Sequence, residues 1–522
     1  MADRSGETAL TPRRRMLVLA ICCMSLLIVS LDVTALNVAL PDIRADLDTS
    51  VSGLQWVIDA YTLVLAALLM LAGSTADRIG RRRVFRWGLA LFVAGSLLCS
   101  LAPGLDWLVA ARALQAVGGC MLNPVAMSII TNTFTEPRER ARAIGVWGGV
   151  VGLSMAAGPI LGGLLVDLSG WRAIFWVNVP VGLAALLLTT LYIPESRAPR
   201  ARRVDPVGQL LMIVLLGSLT YGIIESPHAG LTSPLVLGCG ALALASLAAL
   251  LGYESRRTEP LIELRFFRSV PFAGATVIAV CAFASLGGFL FLTALYLQDV
   301  RGMSALHAGL CMLPMALMTL LCGPLSGRLV GSRGPRLPLL VAGACMTASG
   351  VLFARTASAD QSLWVLFGGY VVFGIGFGLV NAPITNTAVS GMPRAQAGVA
   401  AAVASTSRQV GTSLGVAVIG AVMAASVNGA SLDGDPGAGF QGAERTAWWI
   451  MSGCGLAVLA LGALTTGRWA RTTAARVAKD LDQPEPVRGS AAGDASTAAV
   501  SPRADAVAPS GSVSPSGEAT RG

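Results

Sequence analysis

Long apolar runs alternate with short polar loops along nearly the whole chain. A helix that crosses a bilayer needs about 20 mostly apolar residues. Fourteen runs qualify: 16–40, 52–76, 84–102, 105–130, 142–165, 173–193, 207–225, 234–252, 271–298, 306–330, 337–356, 362–390, 398–426 and 446–467. The loops alternate in charge. One set carries Arg13 to Arg15, Arg81 to Arg83, Arg138, Arg140, Arg197, Arg200, Arg202, Arg203, Arg256, Arg257, Arg265, Arg268, Arg333, Arg336 and Arg394; the other carries few (Arg172, Arg301, Arg445). The positive-inside rule places the first set in the cytoplasm, and an even number of spans puts both termini there.

Composition narrows the class further. The 522 residues are 54% hydrophobic and 13% charged, too little charge for the surface of a soluble protein of this size. The net charge of +9 lies in loop clusters, so it reflects membrane topology and not nucleic-acid binding. The ten cysteines lie almost entirely in apolar runs without a C-x-x-C pair, and read as small buried hydrophobes. The first run is too long for a signal-peptide core and is kept as a span.

Basic, proline-flanked residues 194–206 separate six spans from the rest, and the stretch after the last span is rich in Ala, Ser, Gly and Pro without apolar period. That tail reads as disordered. A faint repeat links Leu122 to Thr133 with Val380 to Thr387, and Gly73 to Arg83 with Gly323 to Gly334. Both offsets are similar, as two parallel six-helix bundles with two inserted helices would produce.

The charges inside the runs carry the chemistry. Asp32 is the only charged residue of 16–40, and a carboxylate there costs roughly 2.5–3.5 kcal/mol on insertion scales. Helical rise places Asp32, Asp59 and Arg112 at one depth on three helices. Asp32 with Arg112 is the expected pair, since an unpaired guanidinium would be expensive. The pair fits a proton switch, in which a change of distance or hydration loads and unloads the acid; it also fits a static ion pair. Asp59 with Trp56 and Tyr61 reads either as a wet vestibule with cation–π rings or as an interfacial belt. Arg408, beside Gln409 in a span, is a candidate for substrate contact or for satisfying loose carbonyls. In the loop 73–83, Gly73 admits a neighbouring helix, Asp77 accepts bonds from amides or an arginine, Gly80 permits a tight turn, and Arg78 and Arg81 complete a possible latch. In the fifth run, Gly145 with Gly149, and Gly148 with Gly152 and Ala156, permit close helix contact, and Pro159 allows a bend beside Gly158, Gly162 and Gly163.

These stretches together resemble a known family. Gly73 to Arg83 resembles the signature loop of the major facilitator superfamily. Leu108 to Gly118 resembles its fourth-helix motif, Gly158 to Gly163 its fifth-helix antiporter motif, and Leu31 to Pro41 is similar to the first-helix Asp motif of drug exporters. Trp171 to Gly182 and Ser407 to Gly415 are similar to the fourteen-helix drug:proton antiporters of the EmrB/QacA type, and the likeness covers about residues 15–467. There are departures: Ala116 and Ser154 replace usual glycines, Gly327 stands where Asp77 stands in the first repeat, and 306–330 holds no acid.

The resemblance implies an all-α polytopic membrane protein with the major facilitator fold, divided as 1–15 N-terminus, 16–193 first bundle, 194–206 linker, 207–252 two extra helices, 253–270 connector, 271–467 second bundle and 468–522 tail. It implies a cell-membrane secondary transporter that exchanges protons for a hydrophobic drug, with a cation as one candidate. It also implies function as a monomer, and the proton gradient in place of any cofactor. Asp32 and Arg112 would couple the proton, and Trp56, Asp59, Tyr61 and Arg408 would meet substrate. A dedicated exporter of one natural product is the alternative. Enzyme and channel are remote: the only histidines are His228 and His307, the only lysine is Lys479, so no P-loop exists, and nothing resembles a filter.

Overall fold

Helix starts follow from local sequence. Thr11, Glu136, Asp205 and Ser233 each stand before a proline and accept an N–H of the first turn, which satisfies an otherwise orphaned donor while proline occupies the position that needs none. Gly80, Gly170, Gly230 and Gly334 close helices at positive φ. Between these signals the apolar runs close into helices, because hydrocarbon leaves the backbone no other partner.

The computed structural model describes residues 11–197, 205–257, 260, 262–358, 361–390, 392, 396–433 and 436–482. Arg200, Arg202 and Arg203 of the linker, Arg394, and the tail from 483 onward lie outside them. Among the described residues are α1 (Pro12–Asp46), α2 (Val51–Ile79), α3 (Arg81–Ser100), α4 (Leu105–Thr133), α5 (Pro137–Ser169), α6 (Arg172–Tyr192), α7 (Pro206–Ala229), α8 (Pro234–Glu254), α9 (Val270–Leu295), α10 (Ala305–Cys311), α11 (Leu313–Arg333), α12 (Arg336–Thr356), α13 (Leu363–Val389), α14 (Ala397–Asp433), α15 (Pro436–Thr465) and α16 (Arg468–Asp482). Among the described residues, fourteen helices are long and apolar enough to cross a membrane.

The packing repeats. In the first bundle α1 lies on α5 and α6, α4 on α2 and α3, and α3 on α6; in the second α9 lies on α14 and α15, α13 on α11 and α12, and α12 on α15. The bundles meet where α5 packs on α10 and α11 and where α14 packs on α2, and α7, with α8 against it, leans on α2 and α14.

Three elements differ from the sequence expectation. The span at 306–330 is two helices, α10 and α11, broken at Met312; Pro314 lacks the N–H that would bond the Leu310 carbonyl. The loop expected between 426 and 446 is largely helical, since α14 runs to Asp433 and α15 begins at Pro436. The first part of the expected disordered tail is the amphipathic α16, whose Ala470, Ala474 and Val477 are buried where it packs on α9. Spacing of four and three residues puts these small apolar side chains on one face, with arginines on the other.

Arg15, Arg81, Arg333 and α16 mark one end of the molecule, called here the arginine-rich end. At that end Gly80 sits at φ 122°, a conformation that side chains disfavour, and Arg82 N–H and Ser196 N–H share the Glu195 carboxylate. Gly80→Ala is expected to lower stability by about 1–3 kcal/mol, read as an earlier thermal unfolding midpoint of the detergent-purified protein.

Candidate functional site

Glycines bring α3 and α4 into near backbone contact: a Cβ at Gly118 would lie 2.3 Å from Phe92 N, and one at Gly95 2.6 Å from Gln115 Cα. This crossing sets Ser96 and Gln115 beside Arg112. Asp32 reaches them from α1. Arg112 Nη1 donates to Asp32 Oδ2 at 2.5 Å, and the two side chains are 1% and 0% exposed. Gln115 Nε2 and Asn178 Nδ2 donate to Asp32 Oδ1 at 2.9 and 2.8 Å. Arg112 also donates through Nη1 to Gln115 Oε1 and through Nε to the Val57 carbonyl, and Gln115 donates to Ser96 Oγ. The charge of the arginine is thereby matched and the carboxylate takes three donors, which is how a buried ion pair offsets its desolvation. A proton added to Asp32 would cancel the charge that holds Arg112 in place.

The expected vestibule does not form. The Tyr61 ring lies under the Arg112 guanidinium at 4.2 Å and is fully buried. Trp56 packs on Tyr221 of α7 and its indole N–H approaches Glu225. Asp59 is fully buried against Thr62, which donates to it, and Ser413 of α14. Helix rotation puts all three in packed interfaces, so neither ring is open to a cation. Arg408 alone of the four lines the large cavity.

That cavity, about 590 Å³, lies between the bundles at the arginine-rich end. Its walls come from α2, α4, α5, α13, α14 and the cap of α7, and include Gly73, Asp77, Trp147, Asp205, Thr385 and Arg408. Asp77 accepts two bonds from Arg81, a local pair on one loop, while Arg78 is exposed. Arg408 donates to Thr385 Oγ1 with its guanidinium near the Phe283 ring.

The opposite end is shut. Arg44 of α1 pairs with Asp299 at 3.2 Å, Gln298 donates to the Val38 carbonyl, and Ser304 Oγ and Leu306 N–H donate to Asp167 of α5. A Cβ at Gly309 would lie 2.2 Å from the Pro159 carbonyl oxygen, and one at Gly163 2.4 Å from that of Ala305. Gly158 and Gly162 lie tight against α1 at Thr34 and Ala35. The small-residue contact therefore sits in the half of α5 from Gly152 onward. Gly145, Gly148 and Gly149, expected in close contact as well, have nothing within 4 Å of a Cβ built on them.

A model of the Major Facilitator Superfamily matches residues 22–416. The chain belongs to this superfamily. It is a multi-pass membrane transporter and not an enzyme. It is 39% identical over 413 residues to "Multidrug resistance protein Stp" of Mycobacterium tuberculosis, covering 79% of this chain and 76% of that one. It is 39% identical over 406 residues to the "Tetracenomycin C resistance and export protein" of Streptomyces glaucescens, covering 77% and 75%. It is 36% identical over 394 residues to the "Methylenomycin A resistance protein" of Streptomyces coelicolor, covering 76% and 82%. Among solved structures, a bacterial homolog of the human lysosomal transporter Spinster, described as inward-facing and occupied, shares the fold at TM-score 0.59 and 18% identity, over 90% of this chain and 98% of that one.

In this facilitator several site residues escape a reading of charge alone. Gln115, Asn178 and Ser96 complete the Asp32 shell, and Gln55 of α2 donates to the Val416 and Ala417 carbonyls of α14 across the bundles. Asn178 carries a usable signal, since it is the one amide within the apolar run 173–193.

Proposed function

We propose that this facilitator exports a hydrophobic small molecule from the cytoplasm in exchange for protons, with Asp32 and Arg112 as the coupling pair. The observation that carries the reading is the fully buried Asp32–Arg112 pair in a bundle whose partner bundle touches it at one end and parts at the other. The arginine-rich end is the cytoplasmic one, with both termini, because Lys and Arg are retained there. The conformer is then open inward. Rocking of the bundles would open the far end, break the Arg44–Asp299 pair and bring α5 at Gly145 and Gly149 against the second bundle. A proton reaching Asp32 in that state would loosen Arg112, and the change in helix packing would be passed to α2 through Val57 and Tyr61. The protein works as a monomer in the cell membrane.

Drug export is supported by relatives named for multidrug resistance. A narrower reading, export of one antibiotic, is supported by relatives named for single compounds. Proteoliposomes loaded with a panel of fluorescent compounds test both. Efflux of several compounds that starts only with an imposed pH gradient is expected; efflux indifferent to the gradient would sink the antiport reading, and efflux of one compound alone would favour the narrow exporter.

The Asp77–Arg81 pair is the proposed inner latch. Asp77 is 38% exposed, so Asp77→Asn should cost at most about 1 kcal/mol of stability. Several-fold slower gradient-driven efflux is nonetheless expected. Efflux at the wild-type rate would leave 73–83 as a topogenic loop only.

A further inference from the structure

The cavity at the arginine-rich end has an uneven charge balance. Its charged lining residues are Asp77, Asp205 and Arg408. Asp77 is paired with Arg81. Asp205 caps α7 through Gly208 N–H, accepts the Tyr253 hydroxyl, and has Arg257 at 3.7 Å. Arg408 has no carboxylate within 4 Å among the described residues; it donates to the neutral Thr385 hydroxyl and its guanidinium faces the Phe283 ring. Its Nε atom has no hydrogen-bond partner, and neither have Trp147 Nε1 and Asn123 Oδ1 in the same wall. The remaining wall is mostly aliphatic, with Leu69, Met70, Val125 and Val399.

A guanidinium without a counter-ion beside a low-dielectric wall favours an anion. The two aromatic rings that would have received a cation, Trp56 and Tyr61, are occupied by Tyr221 and by Arg112. The volume, about 590 Å³, suits one drug-sized molecule. Building on the export reading above, we infer that the transported class is an amphiphilic organic anion, a carboxylate, phenolate or enolate on an apolar ring system, whose anionic oxygen is received by Arg408. Arg408 is thus a specificity residue. The proton that enters at Asp32 and the anion that meets Arg408 use separate bundles, so the two charges never compete for one side chain.

The test uses full-length protein in detergent and two dyes on one xanthene scaffold, fluorescein (an anion at neutral pH) and rhodamine 123 (a cation), with binding read by fluorescence anisotropy. The wild type is expected to bind fluorescein about tenfold or more tightly than rhodamine 123, the size of one hydrogen bond to a charged group. Arg408→Gln should remove that preference by weakening fluorescein alone, and Arg408→Lys, which keeps the charge, should retain part of it. Fluorescein binding that is weaker than or equal to that of rhodamine 123, or absent, overturns the inference; so does a preference undiminished in Arg408→Gln. The readout needs no gradient. An intact anion preference with gradient-independent efflux would therefore remove the antiport reading alone, and gradient-driven export of rhodamine 123 with no anion preference would remove this inference alone.

Discussion

Asp32→Asn is expected to abolish gradient-driven efflux and leave only passive leak. The site explains why this exchange is the informative one. Asp32 Oδ2 serves Arg112, and Oδ1 serves Gln115 and Asn178. Asparagine keeps one acceptor and turns the other into a donor. Asn178 Oδ1 has no partner in the present arrangement, so a flip of the Asn178 amide would receive the new N–H, while Gln115 Nε2 loses this acceptor and keeps Ser96 Oγ. The shape of the site thus survives, while the charge opposite Arg112 and the group that binds a proton are both lost. Asp32→Ala is harsher: besides the uncompensated buried guanidinium that both exchanges leave, at about 3–5 kcal/mol, it strips Arg112, Gln115 and Asn178 of every acceptor at this position, and it should fail to accumulate. The double variant Asp32→Asn with Arg112→Gln removes the buried charge altogether. It should recover stability and still show no coupling. The measurement is dye efflux under an imposed pH gradient, with thermal unfolding as the control for fold. Coupled efflux retained in folded Asp32→Asn would take the proton role from Asp32 and move the search to Asp59.

The second large effect is expected at the closed end. Gly309→Val should hold that end apart. Its Cβ would sit 2.2 Å from the Pro159 carbonyl oxygen, and backbone on both sides leaves no flexible group to yield. The clash is between bundles, so it is relieved by parting them and not by distorting either. Overpacking of about 1–3 kcal/mol shifts the ratio of the two conformers roughly 5- to 150-fold. Spin labels at Ala45 and Arg301, in a background lacking the ten native cysteines, should report a longer distance, and turnover should fall because the cycle no longer closes outward. Gly149→Val is the control, since a Cβ there meets nothing within 4 Å in this conformer. It should leave the distance unchanged and slow only the step that closes the arginine-rich end. Unchanged distances in Gly309→Val with normal turnover would show that the contact does not gate.

The sequence by itself determined the fourteen spans and the family, because each span must be apolar over its whole length and the motifs between and within them are short and local. It also singled out Asp32 and Arg112, since two opposite charges in hydrocarbon have few partners to choose from. It did not determine which way a helix is turned. Trp56, Asp59 and Tyr61 lie within two turns of one another, and only packing decided that one ring lies tilted against Tyr221 of α7 and the other beneath Arg112. Glycine spacing likewise reads the same at Gly145 and Gly163, yet a Cβ at the first meets nothing within 4 Å and one at the second meets the backbone of Ala305. That difference belongs to the conformation in which the bundles stand, and a sequence that must serve both conformations carries the small residues for each. Gln115 was invisible for a related reason, and Asn178 stood out only as a lone amide in its run: such an amide becomes part of a charge site only when tertiary contact sets it against a carboxylate.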